Sequence, residues 1–161
     1  MIIMKNVNLE DLTEEQRRLL DSAERVMRNA YNPFSGFYVG AALLTQAGDI
    51  ITGCNFENAV YGSTLCAERT AVLRANAMGM RLHKAMALIA RGENFDTKEV
   101  TAPCGPCRQV LYEASQVSGV DLEIILSSTK KDKIIITTIS ELLPLAFGPR
   151  DLNIDITKYQ R

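Results

Sequence analysis

Ala85-Met-Ala-Leu-Ile-Ala90 runs for six apolar residues without a polar interruption. A strand with one wet face alternates apolar and polar side chains, whereas a strand covered on both faces does not. The run therefore reads as a strand with helices above and below it. Downstream, 92–103 is a loop, and Pro106 suits the first turn of a helix through Val110, Leu111 and Ala114 toward Gly119. Leu122–Leu126 and Ile134–Thr138 read as two further strands, and Ser140 as the cap of a short helix at Glu141-Leu142-Leu143. Upstream, Ala67, Thr70, Ala71 and Leu73 mark a helix closed by Gly79, preceded by a loop over 55–65. Phe37–Thr45 and Ile50–Cys54 flank Ala47-Gly48-Asp49, which predicts a hairpin. Before it, Thr13 and Gln16 form a capping-box pattern. They open a helix with Leu19, Leu20, Ala23, Val26, Met27 and Ala30 at helical spacing, ending near Asn32-Pro33. This order predicts the α/β class, a three-layer α/β/α sandwich around a mixed five-stranded sheet.

The chain has 161 residues and no linker, repeat or low-complexity stretch, so one domain over 1–161 is expected. Its formal net charge is −1, with Lys and Arg spread along the chain. That pattern lacks the basic footprint of a nucleic-acid binder. Lys130-Lys-Asp-Lys133 reads as a solvated turn. The apolar start Met1-Ile-Ile-Met4 is too short for a signal peptide or a membrane span. A cytoplasmic, reducing location follows as an expectation, one in which cysteines are usually thiols or metal ligands.

Four cysteines are present, at 54, 66, 104 and 107. Cys104-Gly-Pro-Cys107 alone could be a redox pair. All four could close a structural zinc site, or some could be buried thiols. A structural site commonly uses two close pairs of ligands, and here there is one. Two predicted helix starts carry cysteine, Cys66-Ala67-Glu68 and Cys104-Gly-Pro-Cys107. A helix N-terminus carries about half a positive charge and unpaired N–H groups, and both favour thiolate. Two such ends meeting at one point can hold three thiolates on one metal, leaving a fourth position open. Glu68, two residues after Cys66, can lean over that position and carry protons. The constellation matches the signature of zinc deaminases in its three-cysteine variant. Three thiolates on one dication leave a net charge of about −1. Arg69, expected to hydrogen-bond a sulfur, can offset it, with Arg108 as a second candidate. The lone His83 is expected to be solvent-facing or structural rather than a ligand.

Three long blocks carry a family resemblance. They run from Tyr31 to Leu43 (YNPFSGFYVGAAL), from Gly53 to Ala71 (GCNFENAVYGSTLCAERTA) and from Pro103 to Leu111 (PCGPCRQVL). In them the chain resembles the homotetrameric cytidine deaminases with a three-cysteine zinc site. The resemblance implies hydrolytic replacement of the amine at C4 of cytidine or deoxycytidine, in pyrimidine salvage, with one zinc per subunit. It implies that Phe37 packs on the pyrimidine and that Asn55 and Glu57 bind the ribose 3′-hydroxyl. The Ala67 N–H would hold the base carbonyl, and Glu68 would protonate N3 and then the leaving amine. Ala59, Tyr61 and Phe147 resemble positions that reach a neighbouring subunit's site, which implies a homotetramer with shared sites. The bland alternatives are a core residue for Phe147 and a capped loop aromatic for Tyr61. Phe56 departs from the usual smaller aliphatic residue, Pro106 lies inside the CxxC, and 151–161 forms an extra tail.

Three rivals remain. The same chemistry could act on a modified or antibiotic cytosine nucleoside. A polynucleotide-editing deaminase would usually carry histidine at the position of Cys66 and would need a positive channel. A non-catalytic zinc module would not need Glu68. The expected partner is thus a small pyrimidine nucleoside, with no nucleic acid and no membrane.

Overall fold

The apolar run Ala85–Ala90 lies at the centre of the sheet. Each residue from Ala85 to Ala90 is buried. The computed structural model describes residues 4–160; Met1 to Ile3 of the apolar start and Arg161 lie outside the described residues. The strands are β1 (Lys5–Val7), β2 (Phe37–Thr45), β3 (Ile50–Cys54), β4 (His83–Gly92), β5 (Glu123–Ser127) and β6 (Ile134–Thr138). The helices are α1 (Glu14–Met27), α2 (Ala67–Ala77), α3 (Gly105–Ser118) and α4 (Ile139–Leu142). Among the described residues the sheet has six strands in the order β1-β6-β5-β4-β2-β3. Only β4 and β5 pair in parallel, so the sheet is mixed.

Successive β2 residues alternate between the two layers, as a strand's pleat requires. Ala42 and Leu44 pack with Leu19, Leu20 and Ala23 of α1. Ala41 and Leu43 pack with Ala67, Ala71 and Leu111 of α2 and α3. The three-layer sandwich is therefore present. The sixth strand is β1, whose Lys5, Asn6 and Val7 pair with Ile136, Ile135 and Ile134 on the edge of the sheet.

Helix α1 opens with the expected reciprocal cap. The Gln16 N–H donates to Thr13 Oγ1 at 3.2 Å, and the Thr13 N–H donates to Gln16 Oε1 at 3.0 Å. The helix stops at Met27, several residues before Pro33. The cap of α4 is Thr138 rather than Ser140. Ser140 instead turns to Asp121, donating its hydroxyl at 2.6 Å. The lysine turn is not uniformly solvated. Lys131, at φ 59°, turns its ammonium onto Asp21 and Glu24 of α1 at 2.8 and 2.7 Å. His83 is buried, 3% exposed, so the solvent-facing alternative fails and the structural one stands. No helix among the described residues is long and apolar enough to cross a membrane.

Candidate active site

Gly53 sets the position of α2 on the sheet. A Cβ there would lie 2.4 Å from the Ala71 nitrogen and 2.5 Å from the Ala67 carbonyl oxygen. Only glycine lets the first turns of α2 lie directly on β3. That close approach brings Cys66, the N-cap of α2, to the end of the sheet where β3 stops. Cys104 is the N-cap of α3, with Pro106 in the first turn. Both cap residues have extended backbones and neither sulfur caps its own helix.

The two helix starts converge. Cys66 Sγ and Cys104 Sγ are 3.9 Å apart, and the sulfurs of Cys66, Cys104 and Cys107 all lie within 4.8 Å of one another. Three thiolates about 2.3 Å from a tetrahedral ion stand about 3.8 Å apart. The donor set and its spacing therefore fit zinc. Cys54 is not part of this group.

Charge is distributed unevenly over the cluster. Cys66 is held down to about 5, first by hydrogen bonding from Cys107 and then, against the cost of burial, by the Arg69 guanidinium. Cys107 is pushed up by the same pairing with Cys66 and by burial. Arg69 donates through Nη2 to the Thr64 carbonyl at 2.9 Å and to Cys66 Sγ at 3.6 Å. Its Nε is buried without a partner. Arg108 serves elsewhere, donating to the Pro103 and Leu142 carbonyls at 2.8 Å each. It ties the start of α3 to α4. Glu68, in the first turn of α2, is 4% exposed. Burial, reinforced by the negative charge of Cys66, pushes its carboxyl up to about 7. A buried carboxyl poised near neutrality can both accept and release a proton.

A second group lies around the start of β2. Asn55 Oδ1 accepts from the Val39 N–H at 2.9 Å, and its Nδ2 donates to the Phe37 carbonyl at 2.9 Å. Glu57 Oε2 accepts from the Phe34 and Ser35 N–H groups at 2.8 and 3.2 Å. The Ser35 hydroxyl donates to Glu57 Oε1. Burial would raise Glu57, but the Ser35 hydroxyl and the two N–H groups outweigh it and hold the carboxyl below its ordinary range. Phe37 shares its strand face with Val39 and Ala41, the face turned toward α2 and α3. Beside it stands Phe95, ring centroids 6.4 Å apart. Phe95 occupies the space above Gly92, where a Cβ would come within 2.1 Å of its ring.

Of the other expected contacts, Ala67 is buried at the first position of α2. Phe56 turns outward, away from its buried neighbours Asn55 and Glu57, and stacks on Tyr31 at 5.0 Å. Ala59 is exposed. Tyr61 is 74% exposed and meets Phe34 edge-on at 5.7 Å. Phe147 is 60% exposed, so it is not a core residue; its carbonyl accepts from Gln109 of α3 at 2.8 Å. The tail continues as short 3-10 turns at Pro149–Leu152 and Thr157–Tyr159. Gln160 then donates to the Val117 carbonyl of α3 at 3.0 Å. Sequence reading singled out neither Ser35 nor Phe95. A serine in a turn that bonds nearby backbone was the available signal for Ser35.

The chain is similar to known proteins over most of its length. The family model for the cytidine and deoxycytidylate deaminase zinc-binding region matches residues 13–121. The chain is 43% identical over 139 residues to cytidine deaminase of Halalkalibacterium halodurans, covering 86% of this chain and 98% of that relative. It is 36% identical over 140 residues to probable cytidine deaminase of Dictyostelium discoideum, covering 86% and 88%. Among solved structures, cytidine deaminase from Burkholderia pseudomallei superposes with a TM-score of 0.74 at 40% identity, covering 84% of this chain and all of that one. The chain belongs to the cytidine deaminase family.

Proposed function

We propose that this chain hydrolyses cytidine and deoxycytidine to uridine and deoxyuridine, releasing ammonia, with one zinc ion per subunit. The observation that carries the reading is the convergence of Cys66, Cys104 and Cys107 beside the buried Glu68. The three cysteines hold the metal, which when bound supplies a water activated for attack at C4. Glu68 would take one proton from that water to N3 and then move the second, from the hydroxyl left on C4, to the departing amine, so that the C4 carbonyl forms as ammonia leaves. The Ala67 N–H, with no carbonyl partner inside its own helix, binds the base carbonyl. Phe37 packs on the ring. Asn55 and Glu57 take the 3′-hydroxyl, and the Glu57 charge repels a phosphate. Arg69 offsets the thiolate charge through its contact with Cys66.

The assembly is read as a homotetramer, with one domain per chain. The exposed Ala59, Tyr61 and Phe147 reach a neighbour's site. The net charge of −1 supports a small nucleoside partner rather than nucleic acid. The reading places the protein in the cytoplasm, in pyrimidine salvage. A modified cytosine nucleoside is less favoured, because Phe56 turns away from Asn55 and Glu57 and leaves the sugar-binding pair intact. The test is to mix purified, zinc-loaded protein with cytidine and follow the ultraviolet change to uridine, with and without a chelator. Competition against deoxycytidine and base-modified analogues accompanies it. An unchanged spectrum with cytidine would overturn the proposal.

A further inference from the structure

Ser35 is a polar group beside the candidate site that the proposed chemistry leaves unused. A carboxylate offers about four acceptor positions, two on each oxygen. Glu57 fills both on Oε2 with the Phe34 and Ser35 N–H groups, and one on Oε1 with the Ser35 hydroxyl. One acceptor position is left, on Oε1. Asn55 is similarly committed: it spends one amide hydrogen on the Phe37 carbonyl and one lone pair on the Val39 N–H. What this pair still offers, one strong acceptor with a spare donor nearby, suits a single hydroxyl.

Ser35 does more than crowd Glu57. Its Oγ also accepts from the Phe37 N–H at 3.0 Å. The Phe37 residue is therefore held at its N–H by Ser35 and at its carbonyl by Asn55. The side chains expected to read the sugar are bonded to the backbone that aims the base-packing ring.

We propose that Ser35 is a positioning residue that couples recognition of the sugar hydroxyl by Glu57 to the placement of Phe37 against the base. This rests on the proposed binding of the 3′-hydroxyl by Asn55 and Glu57. A hydroxyl that donates to Oε1 adds to a chain running from the sugar through Glu57 and Ser35 to the Phe37 N–H. A substrate without that hydroxyl leaves the Oε1 position unfilled. A 3′-phosphate brings charge to the one oxygen that needs a proton donor. Ser35 thus helps set the preference for an unmodified 3′-hydroxyl without touching the reacting atoms.

The test compares kcat and KM for cytidine and 3′-deoxycytidine in the wild type, Ser35→Ala, Ser35→Cys and Ser35→Thr, all zinc-loaded. The wild type should prefer cytidine by about tenfold or more in kcat/KM. Ser35→Ala should lose about tenfold on cytidine, mostly through KM, and about twofold or less on 3′-deoxycytidine. Ser35→Thr, which keeps the hydroxyl, should restore the preference. Ser35→Cys, close in size but a weak donor, should lose it like alanine and serves if the alanine variant does not fold. Equal losses on both substrates would reduce Ser35 to a packing role and overturn the coupling. A wild type that treats the two substrates alike would overturn the reading of Glu57 itself.

Discussion

The two ends of the candidate site are built on opposite plans. At the sulfur end, groups from two helix starts converge with few bonds among them. Neither cysteine sulfur caps its own helix, and the Arg69 Nε is buried without a partner. At the proposed sugar-binding end, the side-chain bonds of Asn55 and Glu57 tie them to the turn before β2 or to β2 itself. One end is an assembly of charges suited to chemistry. The other, as a proposed binding site, is ordered by hydrogen bonds within the fold, so binding there would cost it little additional ordering. Substitutions at the sulfur end should therefore change turnover or metal while sparing the fold. Substitutions at the sugar end should change affinity and stability together.

The sharpest way to break this contrast is Glu68→Gln. It keeps shape and removes the titrating group, so kcat should fall by about 10³-fold or more with zinc content and melting temperature nearly unchanged. Wild-type turnover in this variant would sink the proton-transfer role, and a large stability loss would sink the division between the two ends. Arg69→Ala comes next. Without its contact to Cys66, zinc affinity should drop by about 10- to 100-fold, read by competition with a chromogenic chelator. Unchanged affinity would show that the thiolate charge is balanced elsewhere. At the other end, Asn55→Ala removes two bonds to the backbone of β2. It should cost about 2 kcal/mol in urea unfolding as well as raising KM for cytidine. A rise in KM with no loss of stability would mean that Asn55 binds substrate but does not brace the strand.

The same division explains how much was legible in the sequence. The sulfur end was readable because helix starts are local: a cysteine before a helical pattern, with glutamate and arginine in its first turn, needs no tertiary knowledge. β4 was equally readable, since a short run of six apolar residues bounded by polar ones suits a strand covered on both faces. The β2–β3 hairpin has the expected bounds because the Ala47-Gly48-Asp49 turn separates two apolar runs. β1 was invisible: three residues on an edge carry no period, and it is a strand only through pairing with β6. Ser35 was missed for a related reason. Its partner Glu57 lies 22 residues away, and nothing local joins a turn serine to that carboxylate. Lys131 was misread as solvated because its ion pairs reach across the molecule to α1.

The smallest expected effect lies outside both regions and serves as their control. His83, at the start of β4, is buried with its Nδ1 unpartnered, and burial lowers its pKa to about 4. The unfolded chain binds that proton nearer pH 6.5. Between these values the unfolded state holds more protons, so the stability that neutral His83 confers is complete above about pH 6.5 and is lost as pH falls toward 4. Between pH 7 and 5 this should cost roughly 1.5 kcal/mol in the wild type and nothing at this position in His83→Leu. Acid also protonates the cysteine ligands and releases metal, but it does so in both proteins. The difference between their urea-unfolding curves across pH therefore isolates the histidine. Parallel curves would mean that His83 gains a proton in the folded state as easily as in the unfolded one. The acid sensitivity of the protein would then belong to other groups, the cysteine cluster and the Glu57 carboxylate among them.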